Sequence, residues 1–297
     1  MALSRRRFFT AAAAASRLLA QPKVRTGPLI CLYSRLLPDI EYFDLGPILQ
    51  GMGFDGCDLS VQQGGTVEPF KISVDLVRAI ESLEGRALEV PVITTTFISG
   101  TDPWARNVIY ITGGTGVPFF RGGFWRFPGA RLVEMKSQIA GLAALGRAYK
   151  MGMGVPNTAG EAVIADLDPN WVGYDFDPSQ ATPDLPIEKA MPRVKMFMLR
   201  DARRQNGQLV PCPLGDGIVD WGKFFDTIAH AKFAGPLTLQ SDYPAPDRLD
   251  AIRRDLDFAR KHLNEAYQKV IAPATSPQPS NGRSDGSTKP VPPQPQR

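Results

Sequence analysis

Three aspartates stand where a strand-like run gives way to a break, and that placement could make them reactive. Asp177 ends the apolar, β-prone run Trp171-Val172-Gly173-Tyr174-Asp175-Phe176, and Pro178 stops the strand one residue later. Asp201 and Asp242 stand in the same relation to the runs Arg193–Leu199 and Pro236–Gln240. A carboxylate at the C-terminal tip of an internal strand is where parallel α/β proteins place their chemistry, and there it could move a proton. The plainer reading is an aspartate that caps its own turn, and for an isolated residue that reading is the better one. Recurrence at three strand ends shifts the balance towards chemistry.

Strand ends converge only if the chain builds one core around them. At 297 residues with 43% hydrophobic side chains, it is long enough for one large α/β domain. The formal charge of +4 lies at the ends of the chain. Residues 1–20 carry Arg5, Arg6, Arg7 and Arg17 without an acid, and the tail from Ala272 adds about +2, which leaves the middle at about −2. No basic surface needs explaining, so nucleic acid is not an expected partner. Cys31, Cys57 and Cys212 are an odd, unpaired set, which argues against a disulfide framework.

The N-terminus reads Ser4-Arg5-Arg6-Arg7-Phe8-Phe9, followed by Thr10 and a short alanine run. Paired arginines before aromatics and a weakly apolar stretch have the pattern of a twin-arginine export signal over residues 1–20, which implies a periplasmic protein. Replacing Arg5 and Arg6 by Lys should leave the protein in the cytoplasm, as cell fractionation would show; continued export would refute the signal. No run approaches the roughly 18 apolar residues that a membrane span needs, so the chain is not expected to be transmembrane. Residues 271–297 are rich in Pro, Ser, Gly and Gln, a composition that predicts a disordered tail.

Between these ends the pattern predicts eight strands, at Pro28–Ser34, Phe54–Val61, Val90–Phe97, Val117–Phe120, Met151–Val155, Trp171–Asp177, Arg193–Leu199 and Pro236–Gln240. Helical spacing appears at Asp39–Gln50 (interrupted by Gly46 and Pro47), Ser73–Leu83 capped by Ser73, Asp102–Ile111, Arg131–Tyr149, Trp221–Ala231 and Asp247–Tyr267. Eight strands alternating with helices predict a single-domain (β/α)8 TIM barrel over residues 28–270. The run Ile109-Tyr110-Ile111-Thr112-Gly113-Gly114-Thr115-Gly116 has the look of a strand entering a dinucleotide turn. It lacks the third glycine, and Val117, Pro118 and Phe119 follow, so neither a nicotinamide nor a flavin cofactor is expected.

Several segments carry a resemblance. They are Gly53-Phe54-Asp55-Gly56-Cys57-Asp58-Leu59-Ser60-Val61, Glu89-Val90-Pro91-Val92-Ile93-Thr94-Thr95 and Leu167-Asp168-Pro169-Asn170-Trp171-Val172-Gly173. Cys212-Pro213-Leu214-Gly215-Asp216-Gly217-Ile218-Val219-Asp220 and Gly235-Pro236-Leu237-Thr238-Leu239-Gln240-Ser241-Asp242-Tyr243-Pro244 complete the set. With these, the chain from about Leu29 to Leu263 resembles the sugar phosphate isomerase/epimerase proteins with a xylose-isomerase-like barrel. The resemblance implies a metal-dependent isomerase or epimerase with Glu, Asp and His ligands at the strand ends. Each histidine of that pattern is replaced here. Thr66 follows Gly64-Gly65, Asn157 follows Val155-Pro156, Gln180 closes Asp177-Pro178-Ser179, and Gln240-Ser241-Asp242-Tyr243 stands for His-x-Glu-Tyr. Arg200-Asp201 stands for Lys-Asp. The chain's two histidines, His230 and His262, fall in predicted outer helices, so no histidine-based metal site is expected.

What the resemblance leaves is a set of oxygen donors. Asp177, Gln180 and Asp242 could hold a hard cation such as Mg²⁺ or Mn²⁺, with Asn157 alongside as a further oxygen donor or substrate contact. Asp242 is one methylene shorter than the expected Glu, which sets its oxygens back by roughly 1 Å. Arg200 and Asp201 are the catalytic candidates; Arg200 keeps a positive charge and could hold an enediolate, but it cannot serve as a base. Arg121 and Trp125 are the substrate-binding candidates, the guanidinium for an anion or sugar oxygen and the indole for a sugar ring. Ion pairs to strand-end aspartates account for both arginines equally well. Without a metal, Arg200 or Arg121 should neutralise Asp177 and Asp242. Three functions stay open: a divergent metal-assisted isomerase or epimerase of a small sugar or polyol, a ligand-binding barrel without turnover, and a barrel kept for assembly with a partner.

Overall fold

In a computed structural model, residues 27–123 and 131–271 are described. The segment expected to be an export signal, most of the predicted tail, and Trp125 lie outside them. Eight parallel strands close into a barrel. They are β1 (Ile30–Tyr33), β2 (Gly56–Ser60), β3 (Glu89–Thr94), β4 (Phe119–Arg121), β5 (Gly152–Pro156), β6 (Val172–Phe176), β7 (Val194–Leu199) and, after an antiparallel hairpin of β8 (Asp201–Gln205) and β9 (Gln208–Cys212), β10 (Leu237–Leu239). The sheet order β1-β10-β7-β6-β5-β4-β3-β2 closes on itself, so each barrel strand pairs on both edges. The single-domain (β/α)8 TIM barrel expected from the sequence is the observed fold.

Strands buried on both faces need apolar side chains facing outward, and the helices supply the other half of that contact. The helices are α1 (Tyr42–Met52), α2 (Ile72–Glu84), α3 (Ala105–Thr115), α4 (Leu132–Ala148), the single turns α5 (Glu161–Ile164) and α6 (Ile187–Ala190), then α7 (Trp221–His230) and α8 (Arg248–Ile271). Phe197 of β7 meets Phe224 of α7 and Phe233 edge-on, with ring centroids 5.0 and 4.8 Å apart. Both histidines sit on this outer layer, His230 exposed on α7 and His262 against Phe258 on α8. The three cysteines are free and buried. Among the described residues no helix is long and apolar enough to cross a membrane.

Three local readings are corrected. Helix α1 runs through Gly46 and Pro47 without a break; Pro47 is exposed, so the carbonyl it leaves unbonded can turn to water. Ser73 is inside α2, whose N-cap is Lys71, so it makes no cap. The glycine run Ile109–Gly116 is the last two turns of α3 and its left-handed cap at Gly116, not a strand.

Inside the barrel, the even-numbered positions around the ring send one residue each into a common layer: Asp58 from β2, Arg121 from β4, Asp175 from β6 and Thr238 from β10. Such layers are ordinarily filled by Val, Ile and Leu. Here the layer is charged.

Candidate functional site

Above this layer, three strand ends bring Asp177, Arg200 and Asp242 together. Asp177 follows β6 in an extended conformation, and its Oδ1 accepts from Ser179 N–H at 2.8 Å and Ser179 Oγ at 2.7 Å. It therefore caps its own turn, as the plainer reading held. Oδ2 is left over, 3.8 Å from Nη1 of Arg200. The other terminal nitrogen of Arg200 reaches Asp242 Oδ2 at 2.8 Å. Of the two arginines expected to neutralise these aspartates, Arg200 is the one that lies between them. Asp242 Oδ1 is buried with no hydrogen-bond partner among the described residues.

Burial pushes the Asp177 carboxyl up to about 6; the bonds from Ser179 and the charge of Arg200 oppose the rise, and Asp175 adds to it. Asp242 is held in place from below. Asp255 of α8 accepts from Ser241 Oγ at 2.6 Å and from Leu214 N–H at 3.2 Å, while Arg248 donates to the carbonyls of Ser241 and Tyr243. Asn157, after β5, uses both ends of its amide on the backbone of Asp177. Nδ2 donates to the carbonyl at 3.1 Å, and Oδ1 accepts from the N–H at 3.1 Å. It fixes the strand end that carries the acid rather than facing a ligand. Gln180 lies half-buried at the end of the same turn.

Two sequence candidates lie elsewhere. Arg121 is in the interior layer, and its five N–H donors are all engaged. Nε and Nη2 fork onto Asp175 at 2.6 and 3.1 Å; Nη1 bonds Asp58 and, at 2.6 Å, Thr94 Oγ1; Nη2 also reaches Thr238 Oγ1 at 3.5 Å. Burial alone would lower the guanidinium, but Asp175 and Asp58 outweigh it and hold Arg121 above the ordinary arginine value. An ion pair is what the sequence allowed, but its partners are interior aspartates, and no donor remains for a substrate.

Asp201 is buried, and its two oxygens accept from five donors. Oδ1 takes Ala202 N–H at 2.8 Å and Val219 N–H at 3.3 Å; Oδ2 takes Gly215 and Gly217 N–H at 3.0 and 3.1 Å and Trp221 Nε1 at 2.9 Å. A carboxylate so filled has no lone pair for a substrate proton. It organises the loop between β9 and α7. Gly217 is required there, since a Cβ would fall 2.0 Å from Asp201 Oδ1. A cavity of about 740 Å³ lies beyond Tyr243, between Arg203, Asp250 and Arg254, and none of Asp177, Arg200 and Asp242 lines it.

The oxygen set does not fit a divalent cation as it stands. Among the described residues no three His, Cys, Asp or Glu side chains converge on a metal-sized space. Asn157 is engaged elsewhere, and Arg200 occupies the approach to both carboxylates. A doubly charged ion about 4 Å from that guanidinium would be opposed by about 8 kcal/mol at an effective dielectric near 20.

No family model matches the chain, and no curated protein matches it. Solved structures do. An L-ribulose 3-epimerase superimposes with a TM-score of 0.65 at 15% identity, over 84% of this chain and 100% of its own. A xylose isomerase domain protein from Planctomyces limnophilus gives 0.64 at 16%, over 82% and 98%. A xylose isomerase-like TIM barrel protein from Mycobacterium smegmatis, in complex with magnesium, gives 0.58 at 16%, over 78% and 92%. At these identities the likeness is one of fold, and the fold is the xylose-isomerase-like barrel that the sequence resembles.

Proposed function

We propose that the barrel takes a small sugar or polyol at its C-terminal mouth and moves a proton next to the sugar's carbonyl, an isomerase- or epimerase-type reaction with Asp177 as the proton-transfer group. The observation that carries this reading is the pairing of Asp177, whose Oδ2 is uncapped, with Arg200 beside it at the convergence of β6, β7 and β10. The similarity to sugar epimerases and isomerases supplies the substrate class. Asp177 Oδ2 would take the proton from carbon, the C–H electron pair would become the enediolate double bond, and the guanidinium would hold the oxygen that gains charge. Return of the proton to the same carbon restores the carbonyl; its return to the neighbouring carbon, with the adjacent hydroxyl proton passing to the former carbonyl oxygen, gives the isomer. Asp242 Oδ1, an acceptor without a donor, suits a ligand hydroxyl. A carboxyl poised near 6 has the protonation balance such a step needs near neutral pH.

The metal-assisted form, with Mg²⁺ or Mn²⁺ on Asp177, Gln180 and Asp242, would place a stronger electrophile at the same oxygen, and it requires Arg200 to leave its present position. One observation favours a second reading, a barrel that binds without turnover. Asp242 is ion-paired to Arg200 through Oδ2 and its Oδ1 is buried, so Asp177 is the one carboxyl placed to move a proton, where epimerisation uses an acid and a base on opposite faces of a carbon.

Incubation with a panel of keto- and aldopentoses and hexoses in D₂O, followed by proton NMR, tests the proposal. Loss of the signal from the carbon next to the carbonyl, abolished by Asp177→Asn, is the expected result. Saturable binding without exchange would select the second reading, and neither binding nor exchange would reject both.

A further inference from the structure

The solved neighbours include a magnesium complex, and this chain has a guanidinium between its two mouth carboxylates. We infer that Arg200 is a built-in cation: it takes the place a divalent ion would need, and the mouth works without metal because the protein supplies the positive charge. The inference concerns the same mouth as the proposed reaction but does not depend on a sugar being turned over.

Three features support it. The first is placement. Arg200 follows β7, between the β6 end that carries Asp177 and the β10 end that carries Asp242, so the barrel's strand order puts it between them. The second is rigidity. The backbone of Asp177 is bracketed by Asn157, and the Ser241–Tyr243 segment is held by Asp255 and Arg248. Neither carboxylate can easily swing away to recruit an ion on its own. The third is the state of the donors. Asp177 Oδ1 serves Ser179, Asp242 Oδ2 serves Arg200, and Asn157 serves the backbone, so three of the oxygens a hard cation would collect already have donors.

The arrangement also has a consequence for specificity. An arginine offers a planar fork of donors at fixed positive charge, and it cannot be lost to a chelator. It suits a ligand presenting two neighbouring oxygens, such as the carbonyl and adjacent hydroxyl of a sugar, with the unfilled Asp242 Oδ1 taking a hydroxyl hydrogen.

The experiment uses chelator-treated full-length protein and Mn²⁺ alone, with no sugar present. Wild type and Arg200→Lys should show no bound Mn²⁺ by electron paramagnetic resonance, and their melting temperatures should not move up to millimolar metal. Arg200→Ala should bind about one Mn²⁺ per chain at least tenfold more tightly than wild type, with a melting temperature that climbs with the logarithm of metal concentration. Adding Asp177→Asn to Arg200→Ala should remove that gain. If Arg200→Ala does not fold, Arg200→Gln, neutral and closer in size, should show the same gain. Stoichiometric Mn²⁺ on wild type, or no tighter binding in either neutral variant, would overturn the inference. Because no sugar enters, a failed exchange assay for the proposed reaction leaves this result unaffected.

Discussion

Arg121→Met should destabilise the barrel by about 3–5 kcal/mol, enough to prevent folding of a marginally stable chain at 37 °C. The side chain it replaces is 5% exposed and holds two aspartates at once. Its loss would not affect them equally. Asp58 keeps the hydroxyls of Thr94 and Thr238, at 2.7 and 3.0 Å. Asp175 has only the guanidinium fork as a side-chain donor among the described residues, so it would be left charged and unsolvated. Burial already raises the Asp175 carboxyl above its usual value, against the pull of Arg121. Without that pull it should take up a proton, which limits the loss and makes it smaller in acid. Arg121→Lys should recover only part, because an ammonium cannot make the fork. Urea unfolding of the variants, with Arg121→Met/Asp175→Asn as the companion, checks the account. A loss below about 1 kcal/mol, or no relief from the second substitution, would show that the layer is not held by charge.

The interior layer shows what the sequence reveals and what it conceals. The eight barrel strands were legible because strands covered on both faces read as continuous apolar runs, and Val90-Pro91-Val92-Ile93 admits little else. The polar layer was also written in the sequence, as parity. Asp175 of β6 and Asp177, which continues the extended backbone just past its end, are two apart and so share a face; a barrel turns that face inward, and one residue goes to the interior while the other reaches the mouth. Reading Asp177 without Asp175 missed the partner that claims Arg121. The β8–β9 hairpin had a signal as well. Asn206 and Gly207, at φ 51° and 78°, form the two-residue turn that Asn-Gly favours, but Ala202-Arg203-Arg204-Gln205 lacks the apolar alternation that marks a strand. Asp201 had no comparable signal. Its donors come from residues 202, 215, 217, 219 and 221, gathered by a loop whose path no local pattern discloses. At the mouth, the sequence named Asp177, Arg200 and Asp242 and could not choose between a metal and an arginine to join them. That choice depends on where one flexible side chain settles.

Asp177→Asn should convert a pH-dependent stability into a flat one. Burial raises the folded carboxyl from its ordinary 3.8 to about 6, so the native state holds a proton that the unfolded chain has already released. The stabilisation is complete below about pH 3.8 and is lost as pH rises through 6, so wild type should weaken between about pH 4 and 7. A rise of that size is worth about 3 kcal/mol at full effect, and the side chain is only 10% exposed, so solvent screening removes little of it. The neighbours that set the value are Ser179 on its own turn, Arg200 after β7 and Asp175 one layer below; the asparagine retains an oxygen for both Ser179 donors. Near pH 4 the variant and wild type should unfold at the same urea concentration. At pH 8 the variant should be the more stable, by up to about 3 kcal/mol, while losing any proton exchange on a sugar. Higher stability with lost activity is what distinguishes a carboxylate held in place for chemistry from one that holds the fold together. Parallel stability curves from pH 4 to 8 would mean that Asp177 is ionised throughout and that Arg200, despite its distance, has already neutralised it.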